Sequence, residues 1–161
     1  QRRLVIASEL HALARSGIRV AIAGSLGEAR PDWPKSTTLL GQRLPWPEIE
    51  ALIARSTITI CTTPQHSSIL NERVIACLDH SSFPLVEAFP QNLRTLGGLG
   101  PLAFFDYSAR SIGIQVLRAL DSLPELAVRL QAVREQYSAM NSKQVVTTSF
   151  TNAVARAVEL I

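Results

Sequence analysis

Cysteine is scarce: Cys61 and Cys77 are the two in 161 residues, one in an apolar run and one in a helical pattern. That excludes a disulfide framework, and the two do not have metal-ligand spacing. Free cysteine is among the most buried residue types, so both are expected inside, in a protein of the reducing cytoplasm. Histidine is as sparse, and His11, His66 and His80 lie too far apart to suggest a metal site. Apolar residues make up 47 % of the chain, yet no run of about eighteen is free of charge, which excludes a membrane-spanning helix. A signal-peptide layout is missing too, because Arg2 and Arg3 lead straight into an amphipathic pattern. Lysine is nearly absent: fourteen of the sixteen basic residues are arginine, and the net charge is +3. The arginines are scattered rather than gathered on one patch, which argues against a nucleic-acid partner. A small anion such as a diphosphate, or peripheral contact with a membrane surface, stays compatible with that charge.

What is present is alternation. The length suits one domain over residues 1–161, and a start without Met inside a helical pattern suggests a piece of a longer chain. Leu4, Ala7, Leu10, Leu13 and Ala14 have helical spacing, and Gly17 supplies the stop. Residues 18–23 and 37–40 read as short strands separated by a loop with Gly27, Pro31 and Pro34. A helix opens at Pro45-Trp46-Pro47-Glu48, with Ile49, Leu52 and Ile53 on its apolar face. A β-branched strand over 57–61, a helix from about 69 to 80 and a strand over 83–86 follow. Residues 88–100 read as irregular, and Pro101 to Tyr107 as the last strand. Ile112, Val116, Ala119 and Leu120 mark one helix; Ser122 and Glu125 predict a capping box for the next, whose apolar face is Leu126, Leu130, Val133, Tyr137 and Met140. A last helical pattern covers 149–160. Short apolar strands alternating with helices predict α/β architecture: a Rossmann-like open parallel sheet with helices on both faces, whose first strand lies upstream of Gln1.

In such sheets ligands bind at the carboxyl ends of the strands. Two loops fall there. The first carries Gly24 and Ser25 after a strand; prolines follow instead of a helix, so neither the dinucleotide fingerprint nor the P-loop is met. A tight turn and a close approach to phosphate or sugar both remain open for Gly24. The second loop runs from Thr62 to Asn71 and gathers hydroxyls, an amide and His66 just before a helix. The N–H groups of a helix start suit an anion, and Ser67, Ser68 and Asn71 suit either that role or capping. Arg73 near the start of a helix is electrostatically disfavoured unless something negative faces it. A diphosphate answers that need through bidentate hydrogen bonds, and so does a carboxylate such as Glu87. His66 has no carboxylate near it in sequence, and no nucleophile elbow or Ser-His-Asp order is present. Trp33 and Trp46, each beside prolines, read as packing residues, and His11 and His80 as structural ones.

The run from Asn71 to Glu87, NERVIACLDHSSFPLVE, resembles the donor-domain motif of GT-B glycosyltransferases, above all the CgeB-type subgroup. GIRVAIAGS, TTLLGQRLPWPEIEALIARSTITI and the segment from Pro101 to Tyr137 are similar to family segments in the same order, so the resemblance is diffuse but spans most of the chain. It implies the C-terminal half of a GT-B fold, binding a nucleotide-diphosphate sugar without a required cofactor or metal. The acceptor would be held by an N-terminal domain of the same chain. By the same resemblance, donor-binding positions are Gly24, Ser25, Arg43, Leu44, His66, Ser67, Ser68, Asn71, Glu72 and Arg73. Two positions depart from the family: Ala76 stands where a ribose-binding glutamate is usual, and Ser81 where the turn is usually glycine. These departures fit a second expectation, a GT-B-like binding or assembly module without catalysis.

Overall fold

A computed structural model describes residues 2–24, 26, 32–41, 44–62, 71–108 and 110–141. Its architecture is α/β with parallel strands. Helix α1 (Arg2–Arg15) leads to β1 (Val20–Ile22) and β2 (Thr37–Leu39); α2 (Trp46–Ala54), β3 (Ile58–Cys61), α3 (Glu72–Asp79) and β4 (Phe83–Glu87) follow. Then come α4 (Pro90–Leu96), β5 (Phe104–Phe105), α5 (Ser111–Asp121) and α6 (Leu123–Met140). Gly17, at φ +94°, ends α1 in the left-handed conformation that glycine tolerates best.

Among the described residues the strands fall into two parallel sheets, not one. β1 pairs with β2 from Val20 opposite Thr37 to Ile22 opposite Leu39. β3, β4 and β5 form the second sheet, with β4 in the middle. All five residues of β4 are buried, so helices cover it on both faces, as a parallel sheet requires. One apolar cluster joins Ile53 of α2, Val74, Cys77 and Leu78 of α3 and Leu126, Leu130 and Val133 of α6 to Cys61, Phe83 and Val86. The other joins Ile6, Leu10 and Leu13 of α1 and Ile112 and Val116 of α5 to Ile22, Leu85 and Phe105, with Val20, Ile58 and Ile60 packed against it. Both sheets therefore share this second core.

Pro84 lies in the central strand, where a missing N–H normally costs a ladder bond. Here it costs none. The Phe83 N–H donates to the Thr57 carbonyl at 2.9 Å, so Phe83 faces β3 and Pro84 faces the other way. On that side β5 begins pairing only at Val86, opposite Phe104.

Three further sequence readings are corrected. Residues 90–96, read as irregular, form α4; its proline at the first turn and single buried leucine, Leu96, gave no helical stripe. The last strand is two residues long, because Pro101–Ala103 turns as a 3₁₀ helix before it. The capping box of α6 does not form: Ser122 makes no side-chain cap, and the Glu125 carboxylate instead accepts from Arg129 at 2.7 Å. What fixes the neighbouring helix is a cap from another element. Glu9 of α1 accepts the backbone N–H of Arg110 at 2.7 Å and of Gly113 at 3.0 Å, closing the start of α5. The helical pattern over 149–160 lies outside the described residues.

Candidate functional site

The carboxyl ends of β1, β2 and β3 carry the candidate residues. Gly24 follows β1 at φ +95°, and its N–H donates to the Gly41 carbonyl at 3.2 Å, tying the ends of β1 and β2 together. A Cβ placed on Gly24 would meet nothing within 4 Å among the described residues, and its φ alone calls for glycine. Leu44 is half-buried beside Gly41, 3.9 Å from where a Cβ there would stand. Gly24, Gly41 and Leu44 thus form one group.

Asn71, Glu72 and Arg73 form another at the end of β3. The Asn71 side chain does two jobs: Oδ1 accepts the Arg73 N–H at 2.9 Å, and Nδ2 donates to the Thr62 carbonyl at 3.2 Å. It is therefore the N-cap of α3 and the clamp between that helix and β3. The N–H groups of Val74 and Ile75 both reach the Asn71 carbonyl, at 2.9 and 3.2 Å. Most of the first-turn amides are thus satisfied within the chain. Glu72 adds a negative charge that complements the helix dipole, while the exposed Arg73 side chain works against it. Ser25, Arg43, His66, Ser67 and Ser68 lie outside the described residues.

Glu87, the carboxylate that the sequence offered to Arg73, is engaged elsewhere. It ends β4 at 2 % exposure, and its Oε1 accepts the Tyr107 hydroxyl and lies 3.9 Å from Arg2 Nη1. The Arg2 guanidinium also stacks on the Tyr107 ring, 4.8 Å from its centre, and Asn92 donates to the Glu87 carbonyl at 2.8 Å. This knot joins the start of α1 to the ends of β4 and β5. Sequence reasoning missed it, although a charge closing the apolar run FPLV was its signal. Among the described residues Arg73 takes part in no ion pair.

Behind the β3 loop sit the two cysteines, both free, with sulfurs 3.8 Å apart between β3 and α3. The hydrogen bond with Cys77, then burial, pushes the Cys61 thiol well above the ordinary thiol range. The Cys77 thiol is lowered from its ordinary value, first by the hydrogen bond with Cys61, and both side chains are fully buried. His11 is structural as expected: buried, its ring nitrogen is 3.1 Å from the Asp32 carbonyl, and its ring lies against Trp33. Trp33 packs against the second core, whereas Trp46 opens α2 partly exposed. Ala76 is buried at 4 % exposure among core side chains. Ser81 adopts φ +57°, a left-handed backbone that glycine tolerates best. Among the described residues no three metal-ligating side chains cluster, and no helix is long and apolar enough to cross a membrane. A cleft of about 370 Å³ lies at the opposite end of the sheet, lined by Arg55, Ser56, Thr57, Ser81, Phe83 and Leu126.

Comparison with family models, with curated proteins and with solved structures returned no match.

Proposed function

We propose that the carboxyl ends of β1 and β3 bind the diphosphate of a nucleotide sugar, as the donor-binding part of a GT-B glycosyltransferase. The observation that carries this reading is Arg73: an exposed guanidinium at the start of α3, without a carboxylate partner among the described residues, while Glu87 is held by Arg2 and Tyr107. A cation placed against a helix dipole is best compensated by an anion in front of it. Gly24 supports the reading, since among the described residues its turn leaves space where a phosphate or sugar can approach backbone. In this reading the chain positions the donor and its Arg73 stabilises the charge of the leaving diphosphate, in the manner of fixed cationic clamps. The acceptor, and any general base, come from an N-terminal domain of a longer chain.

Titration calorimetry with nucleoside diphosphates and their sugar conjugates tests it. The wild-type chain should bind, and Arg73→Ala should weaken binding about tenfold or more, the scale of one charge-assisted hydrogen bond. Absence of binding by the wild-type chain overturns the proposal.

One observation favours a second reading, a donor-domain-like module without catalysis. Ala76 is packed in the core, so the position that carries a ribose-binding glutamate in the family holds no carboxylate and faces apolar neighbours. Binding of a nucleoside diphosphate without discrimination for its sugar conjugate, and no transfer by the longer chain, would select this reading.

A further inference from the structure

We propose that the edges of β1 and β3 form a slot for one more parallel strand, supplied by polypeptide that leads directly into α1. The backbone directions point to it. Val20 donates to Ser36, and Ile22 accepts from Leu40 at 2.8 Å, so these residues face β2 and the N–H and C=O of Ala21 point away from it. In β3 the Thr57 carbonyl faces β4, which turns the backbone groups of Ile58 and Ile60 away from β4. Among the described residues each sheet thus ends in an unpaired parallel edge, the kind of edge that templates strand addition.

The two edges belong to one layer. Val20 and Ile22 pack in the same core as Ile58, Ile60 and Leu85, beneath Ile6, Leu10 and Leu13 of α1. Yet β1 and β3 are not hydrogen-bonded to each other. Helix α1 runs over both: its end feeds β1 through Gly17, and its start is pinned at the far sheet by the contacts of Arg2 with Glu87 and Tyr107. Glu87 is the carboxyl end of β4. A strand parallel to β1 and β3 finishes at that same end, next to the first turn of α1. A short connection then makes strand, α1 and β1 an ordinary βαβ unit and merges the two sheets into one. Chemistry selects an occupant that is uncharged and β-branched on the side facing α1, because the flanking residues there are isoleucine and valine.

Amide hydrogen exchange decides this in two steps. In the 161-residue chain, the Ala21, Ile58 and Ile60 amides should exchange much faster than the ladder-facing amides of Val20 and Phe83. Equal protection of both sets overturns the slot. Two extended chains then carry about five Val/Ile residues plus a Gly-Ser turn ahead of Arg2, or a Gly/Ser stretch of the same length. The Val/Ile extension should slow exchange at Ala21, Ile58 and Ile60 about tenfold or more, and the Gly/Ser extension should not. No difference between the two overturns the proposal. Should the Val/Ile chain be insoluble, the first comparison alone decides. Exchange at these amides does not depend on nucleotide binding, so failure here is separate from failure of the functional reading.

Discussion

Among the six residues of β1 and β2 only Ile22 is buried, whereas β4 is buried from Phe83 to Glu87. Both sheets are parallel, and both have β-branched or leucine side chains. The difference lies in what stands beside them. β4 has a strand on each side and helices over both faces, while β1 has β2 on one side and, among the described residues, an unpaired edge on the other. Burial of a parallel strand is thus a property of its neighbours more than of its own residues. A rigid, covered sheet carries the α3 clamp, and a lighter one carries the Gly24 turn.

The sharpest way to break that comparison is to remove the same side chain from each sheet. Leu85 is fully buried in β4 and Leu39 is 51 % exposed in β2. Leu85→Ala should cost about 3–4 kcal/mol in chemical unfolding, through lost burial and the cavity left behind, and Leu39→Ala less than about 1 kcal/mol. Next in size is the link between the two halves of the shared core. Glu9→Ala should cost about 1–2 kcal/mol by leaving the Arg110 and Gly113 amides without their carboxylate, and Glu9→Gln should recover part of it. In the opposite direction, Ser81→Gly should stabilise by about 1 kcal/mol, because glycine adopts φ +57° without the cost other residues bear. Thermal melts of the single variant suffice to check it.

The smallest effect is a pH dependence. The Ser108 hydroxyl, then its backbone N–H, donates to Asp106 and holds that carboxyl below its ordinary value of 3.8. The folded pKa is the lower of the two, so the contribution is present above the unfolded value and fades as pH falls through the folded one. The melting difference between wild type and Asp106→Asn should therefore be seen at neutral pH and vanish in strong acid. Asp106 is fully exposed, so the shift should be slight.

Periodicity made most of the fold legible. Gly17 ended α1, the β-branched run gave β3, and the apolar face of α6 was buried at Leu126, Leu130 and Val133. What stayed hidden was decided at a distance. The start of α5 is closed by a glutamate of α1, so nothing next to Arg110 signals it. Ser122 and Glu125 spell a capping box, yet the i,i+4 partner Arg129 takes the glutamate. At the site, capping and ligand binding compete for the same residue types. Asn71 proved to be the cap, which leaves Arg73 as the residue with charge to offer. The division into two sheets was not legible either, since strand patterns report a strand's own faces and not its edges.

The seat that Glu9 provides for α5 joins residues 101 positions apart in the chain. During synthesis at the ribosome α1 emerges well before α5, so its carboxylate finds this partner only after those 101 positions have been added. The earlier helix must therefore wait for the later one, and this seat forms by a long loop closure rather than by vectorial addition of finished layers.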